Sequence, residues 1–453
     1  MYNEQKLFYT FGLLSLVVLL GGCKTVKQAR LAQSDSDRLA GETTVTASQA
    51  GLTDSRPYAL TNLEQIALLY HPSILQARQS VESARLAVRT VRAGRLPTLS
   101  AGGSYSRSTQ NSWGHSTHTE MQGSWSGSAS LDFLLYDFGK LDAQEKKAIA
   151  GLIAAEEQLR QTELDVAYAV QTSFFELLRS VELYRVALES ERQYAEHLEE
   201  ARTMLQVGTR RSYDVTKAEV DWGNARLAVI TDSNNFVTAR AQLDRDIGLA
   251  EQTHFAVGTG EMPLCLGSID DLMAVARKEA PSLAVLSAKT RAASSAVDQT
   301  IADLYPDLSL GADASLSGRN FPFVWNYSWA AKIAQDLFSG FRKTTAIKDA
   351  VTQLRIARAN QADAEQSLYF KLVQADAKRM SSQKSLEVAE MVLRQAAENL
   401  AIVNEQYRVG LSSSIERTDA QVTLTQAQAD VVRARYDYQN ALALIAYLTG
   451  RGR

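Results

Sequence analysis

Ser124-Trp125-Ser126-Gly127-Ser128-Ala129-Ser130-Leu131-Asp132-Phe133 alternates strictly between hydroxyl or carboxylate side chains and apolar or absent ones. Successive side chains of a strand point to opposite faces, so the stretch predicts a β-strand with one wet and one apolar face. The pattern recurs at 307–316, where Asp307, Ser309, Gly311, Asp313 and Ser315 alternate with Leu308, Leu310, Ala312, Ala314 and Leu316. In 325–333, Trp325, Tyr327, Trp329, Ala331 and Ile333 alternate with Asn326, Ser328, Ala330 and Lys332, and 98–106 is a weaker version. A soluble antiparallel sheet with one solvated face would show such alternation. So would transmembrane strands, which run for about ten residues with lipid on one side and water on the other. Trp125, Trp325, Tyr327 and Trp329, with Trp113, would be the interfacial aromatics of that second arrangement, which the aromatic load favours.

Outward from these strands the period becomes helical. Lys140 to Gln206 contains no proline and only Gly151, and Arg342 to Arg408 contains neither residue type. Helix throughout either stretch would rise roughly 100 Å. Second helices follow Gly208 and Gly410, over 212–247 and 414–448, and end near Gly248 and Gly450. Helices this long must pack side by side as coiled coils. Ahead of the first strands, 61–95 is helical by the spacing of Leu63, Ile66, Ala67, Ile74 and Ala77, with Thr61 as N-cap and Glu64 completing a capping box. Pro97 and Pro306 stop the helices before each strand pair.

The matching prolines belong to an internal repeat. Pro72-Ser73 and Leu96-Pro97-Thr98-Leu99-Ser100 match Pro281-Ser282 and Tyr305-Pro306-Asp307-Leu308-Ser309 at an offset of 209. Leu135-Tyr136, Val207-Gly208 and Gly248 match Leu337-Phe338, Val409-Gly410 and Gly450 at an offset of 202. The chain is therefore expected to be two copies of one unit, 61–250 and 270–450. The second is seven residues shorter, a loss confined to one loop.

The N-terminus reads as a targeting segment, 1–22. Lys6 precedes the apolar run Leu7 to Leu20, which ends in Gly21-Gly22-Cys23. Leu20-Gly21-Gly22-Cys23 resembles a bacterial lipobox, which implies lipidation of Cys23; ordinary cleavage beside an incidental cysteine is the alternative. Lys24 follows, with no aspartate to suggest retention in the inner membrane. Residues 23–60 are then a polar lead-in, and Cys265, between Leu264 and Leu266, is an unpaired buried thiol.

Over 453 residues, 48 Lys+Arg balance 51 Asp+Glu, which argues against a nucleic-acid binder. After residue 23 no apolar stretch approaches the ~20 residues of a membrane-spanning helix. No catalytic constellation is present, so no enzyme activity, cofactor or metal is expected. His115 and His118 lie in a Ser/Thr-rich hairpin, while His71, His197 and His254 are scattered. The Gly-rich stretches near 102–103 and 123–127 lack the lysine of a phosphate loop.

Four strands cannot close a membrane barrel, because single-chain bacterial barrels start at about eight and an open edge in lipid leaves backbone groups unpaired. Several chains must therefore close it: three copies would give twelve strands, and two or four would also close. The polar strand faces would then line a water-filled lumen continuous with a helical tunnel.

Several motifs make a family resemblance specific: Tyr407-Arg408-Val409-Gly410, then Glu416 and Asp419-Ala420, then Val422, Leu424, Ala427 and Tyr436. Copy one offers Val207-Gly208-Thr209, Asp214-Val215 and Ala218, and both copies carry a strand-to-helix junction, Leu135-Tyr136-Asp137-Phe138-Gly139-Lys140 and Leu337-Phe338-Ser339-Gly340-Phe341-Arg342. In that order the chain resembles the TolC family of outer-membrane factors over about 60–450. The resemblance implies a mainly α fold with a transmembrane β-barrel portion: a homotrimer with four strands per protomer, a 12-strand barrel and a 12-helix periplasmic tunnel. It implies helical-turn tips that meet a periplasmic adaptor (a membrane fusion protein), at Val207, Gly208, Thr209, Arg210, Val409, Gly410, Leu411 and Ser412. It implies a periplasmic gate at Asp214, Glu416 and Asp419, whose threefold copies would form rings of carboxylates. Ser412 stands where the family carries an arginine after the second turn, and Arg210 holds the equivalent place in copy one. The implied function is an outer-membrane exit duct, set in outer-membrane lipid and passively conducting substrates from an adaptor and an inner-membrane pump of RND or ABC type. Type I protein secretion is the alternative on the same fold. A non-conducting, lipid-anchored coiled-coil envelope protein is a third, which the alternating strands disfavour.

Overall fold

The computed structural model describes residues 57–109, 122–208, 211–249, 255–258, 260–263 and 267–451, with 30, 31, 33 and 46. The expectations for the signal peptide and Cys23, for Trp113, His115 and His118, for Thr209 and Arg210, and for His254 and Cys265 lie outside the described residues. Among the described residues, eight helices and four strands follow in order: α1 (Leu60–Tyr70), α2 (Pro72–Ala93), β1 (Thr98–Ser108), β2 (Gln122–Tyr136), α3 (Lys140–Gln206), α4 (Ser212–Ile247), α5 (Ile269–Glu279), α6 (Pro281–Ala302), β3 (Asp307–Gly318), β4 (Val324–Ala334), α7 (Arg342–Arg408) and α8 (Ser414–Leu448).

Two local expectations are corrected. The helix expected over 61–95 is two helices, broken at His71, whose ψ of 128° is extended. Pro72 causes the break, since its ring disfavours helical backbone in the residue before it. The capping box expected at Thr61 and Glu64 is absent: Ala59 is the N-cap and makes no side-chain cap bond. Glu64 instead accepts a hydrogen bond from Gln171 Nε2 at 2.7 Å.

The chain divides into two compact units. One comprises 76–164, 265–377 and 445–453, and contains the whole sheet. Its strands run in the order β1-β2-β3-β4, every pair antiparallel. The register sorts side chains sharply. Ser100, Ser104, Ser126, Ser128, Ser130, Asp132, Asp313, Ser315, Asn326 and Ser328 share one face, and Leu99, Tyr105, Trp125, Ala129, Leu131, Ala314, Leu316, Trp325, Tyr327 and Trp329 share the other. On the polar face hydroxyls meet across strands, Ser100 with Ser130 at 2.6 Å and Ser104 with Ser126 at 2.8 Å. Below the strands, Arg92 pairs with Glu145 at 2.7 Å and Arg95 with Asp142 at 2.5 Å, tying α2 to the start of α3. Just past α8, Gly450 lies against α5: it has φ +77°, and a Cβ there would fall 2.6 Å from the Glu279 carbonyl oxygen.

The second unit comprises 1–75, 165–264 and 378–444 and holds the turn-bearing parts of both long helical hairpins, α3–α4 and α7–α8. Each hairpin has its own narrow core of small residues. Leu198 and Ala201 of α3 pack with Ala218 of α4, against Val215 and Trp222. Ala396 and Leu400 of α7 pack with Ala420, Leu424 and Ala427 of α8. Small side chains at intervals of three and four let the helix backbones approach closely, the coiled-coil solution for helices too long to stand alone. Among the largest fully buried side chains, Tyr407 lies on α7, and Phe174 and Phe175 pack earlier on α3 with ring centroids 5.6 Å apart.

Candidate functional site

The two hairpin turns are built alike. α3 ends at Gln206 and reaches Gly208 at φ +80°; α7 ends at Arg408 and reaches Gly410, also at φ +80°. At the second turn Leu411 N–H donates back to Gln406 carbonyl oxygen at 2.8 Å and Gly410 N–H to Tyr407 carbonyl oxygen at 3.1 Å. This pair of bonds satisfies the last helical carbonyls and needs a left-handed residue, which glycine adopts without Cβ strain. Gly248 and Gly450 close α4 and α8 in the same conformation, at φ +93° and +77°.

Past the second turn, Ser413 and Glu416 cap α8 reciprocally. Ser413 Oγ accepts from Glu416 N–H at 3.2 Å, and the Glu416 carboxylate accepts from Ser413 N–H at 2.9 Å. Ser412 Oγ also donates to Glu416, at 2.6 Å. The Ser412 bond and then the Ser413 N–H hold the Glu416 carboxyl below its ordinary value. Past the first turn, Asp214 accepts from Arg211 N–H at 3.4 Å and, across to the other hairpin, from Ser414 Oγ at 2.8 Å. Asp419 is exposed one helical turn beyond Glu416. Asp214 and Glu416 therefore flank neighbouring turns, joined through Ser414.

Of the tip residues, Val207 and Leu411 are 73% and 81% exposed, and Val409 projects likewise. Ser412, by contrast, is buried, and its hydroxyl is bonded to Glu416. In the sheet, Trp125, Trp325, Tyr327 and Trp329 all stand exposed on the apolar face, Trp325 and Tyr327 stacked at 5.9 Å. Among the described residues no helix is long and apolar enough to cross a membrane.

A partly buried polar cluster near the turns escaped sequence reasoning. Arg417 of α8 donates through Nη1 to Glu200 at 2.5 Å and contacts His197 Nδ1 at 3.1 Å, both on α3. Its guanidinium lies 4.9 Å from the centre of the Tyr407 ring, which is itself 5.9 Å from the His197 imidazole. Beside them Lys217 pairs with Asp221 at 3.0 Å, and Thr418 Oγ1 donates to Asp221 at 3.3 Å. Farther along, Gln421 Nε2 donates to Gln193. Burial, aided by Asp221 and Asp419, pushes the Tyr194 hydroxyl up to about 12. Nothing in the linear sequence marks this cluster, because its partners are some 200 residues apart in chains of Glu- and Arg-rich helix.

Comparison with known proteins gives one consistent result. The family described as outer membrane efflux protein matches residues 63–249 and 272–451. The alkaline protease secretion protein AprF of Pseudomonas aeruginosa is 22% identical over 403 residues, covering 85% of this chain and 83% of that protein. The probable efflux pump outer membrane protein TtgC of Pseudomonas putida is 21% identical over 393 residues, covering 83% and 80%. Among solved structures, the CmeC outer membrane channel of Campylobacter jejuni superposes with a TM-score of 0.76 at 16% identity, covering 87% of this chain and 86% of that one.

Proposed function

Because the chain belongs to the outer membrane efflux protein family, we propose that it is the outer-membrane exit duct of a tripartite efflux system, not an enzyme, passively conducting substrates handed to it by a periplasmic adaptor and an inner-membrane pump. The observation that carries this reading is the sheet. One face is a ladder of hydroxyls and carboxylates, the other is apolar and aromatic, and among the described residues β1 and β4 each leave one edge unpaired. Lipid tolerates no unpaired strand edge, so copies of the chain join edge to edge. Three copies give a twelve-strand barrel with the hydroxyls inward, and their helical hairpins form a twelve-helix periplasmic tunnel. In this reading 61–250 and 270–450 are two quasi-equivalent units behind a signal peptide at 1–22. Cys23 carries the lipid that fixes the lead-in 23–60 to the outer membrane.

The exposed turns at Val207, Gly208, Thr209 and Arg210, and at Val409, Gly410 and Leu411, are the surfaces that meet the adaptor. Asp214, Glu416 and Asp419 lie where a threefold axis would gather them into acidic rings at the periplasmic entrance. A second reading has its own support, since AprF is described as a protease secretion protein: the same duct would serve type I protein secretion. A clean deletion scored both for drug sensitivity and for proteins missing from the medium separates the two. Sensitivity with an unchanged secretome supports efflux, the reverse supports secretion, and neither change overturns the duct reading.

A further inference from the structure

The cluster around Arg417 lies between the two hairpins, and the bonds of Arg417 to Glu200 and His197 and of Thr418 to Asp221 cross from α8 to copy one. Arginine is charged at all physiological pH and can only donate. Its contact with His197 Nδ1 at 3.1 Å therefore requires that nitrogen to be bare, which makes the imidazole neutral with its proton on Nε2. His197 is buried, at 7% exposure, and so is Tyr407, at 2%, so water cannot replace the bond readily. We propose that Arg417, seated between Glu200 and His197, is the latch that fixes the second hairpin to the first, and that protonation of His197 releases it. This rests on the duct reading, which makes the hairpin turns the entrance.

The groups that face His197 come from four helices. Arg417 approaches from α8, Lys217 and Asp221 from α4, Glu200 from its own helix α3, and the Tyr407 ring from α7. Protonation would set an imidazolium against Arg417 and near Lys217, with Glu200 already committed to Arg417 and Asp221 shared by Lys217 and Thr418. Burial first, then the Arg417 charge, hold the His197 imidazole below its ordinary value, while Glu200 and Asp221 pull the other way. The locked state thus binds fewer protons than a released one. The lock is complete above the usual imidazole value of about 6.5 and weakens as pH falls below it. An acidic periplasm would open the entrance.

The test is single-channel recording of the purified full-length protein in planar bilayers with KCl, from about pH 7.5 to about pH 5.5, across the ordinary histidine range. Wild-type conductance should rise about fivefold or more toward the acid end, the lower bound of an ordinary coupling between sites. His197→Gln keeps an acceptor but cannot titrate, and should lose that rise. His197→Asn, which places there the residue found at Asn399 in the other copy, is the second variant should the first lose its helical circular dichroism. Arg417→Met should conduct at about pH 7.5 as the wild type does at about pH 5.5. A pH-independent wild type overturns the latch, as does a histidine variant that keeps the full rise through its Glu and Asp rings. A wild type that conducts at no pH instead overturns the duct reading.

Discussion

Ser414→Ala should open the entrance, and the structure says by how much. Ser414 is buried, and its hydroxyl donates to the Asp214 carboxylate at 2.8 Å, from the first residue of α8 to the first turn of α4. It is not the helix cap: Ser413 fills that role with Glu416. Alanine therefore removes the link without unwinding α8. A hydrogen bond to a charged group contributes about 1.5–3 kcal/mol net. Asp214 is half-buried, so solvent screening brings this to about 1–1.5 kcal/mol per protomer. If three protomers open together the bias is about 3–4.5 kcal/mol, a shift of roughly 10²–10³ in the closed-to-open ratio. If they open singly it is roughly tenfold. Open probability in planar bilayers at neutral pH distinguishes these cases, and Asp214→Asn should reproduce part of the effect. Ser414→Ala and Asp214→Asn channels that stay as closed as wild type, with normal folding, would refute the idea that this bond spans a moving seam.

Removing both ring charges with Glu416→Gln and Asp419→Asn, which spare the side-chain hydrogen-bonding shape, should move the reversal potential in a KCl gradient toward lower cation selectivity; an unmoved potential would take these carboxylates out of the conduction path. Glu416→Ala and Asp419→Ala should in addition raise conductance, because alanine at 416 also deletes half of the α8 capping box. Phe174→Ala removes a fully buried ring packed on Phe175 and should cost about 3–5 kcal/mol in denaturant titrations of the detergent-solubilised protein; a loss under ~1 kcal/mol would mean that the site collapses around the gap.

What was legible in the sequence was whatever repeats locally. The strands showed because Ser124 to Phe133 and Asp307 to Leu316 keep period two for their whole length, and the register then puts the serines of β1 and β2 opposite one another. The long helices showed through the absence of proline, and the turns through Val-Gly pairs whose glycines must take positive φ. The break at His71 did not show, because the apolar spacing runs on through Leu63, Ala67 and Ile74 while proline acts on the residue before it. Glu64 looked like half of a cap when read beside Thr61. Its partner is Gln171, 107 residues on, which no local pattern can supply. The same distance hid Arg417 and His197, each unremarkable on its own helix.

The seam between the hairpins has a polarity that a pair of like copies would not have by default. Ser414, Arg417, Thr418 and Gln421 of α8 all donate; Asp214, Glu200 with His197, Asp221 and Gln193 of copy one all accept. At the repeat offset of 202, Arg417 matches Val215, Glu200 matches Ile402, His197 matches Asn399 and Asp221 matches Thr423. Arg417, Glu200, His197 and Asp221 therefore have no ionisable counterpart on the other side of the pseudo-symmetry, whereas Asp214 matches Glu416. The network is therefore a property of the seam within the protomer and is not duplicated by the repeat. Within each protomer, the two hairpins are thus held by a network that the repeat alone does not supply.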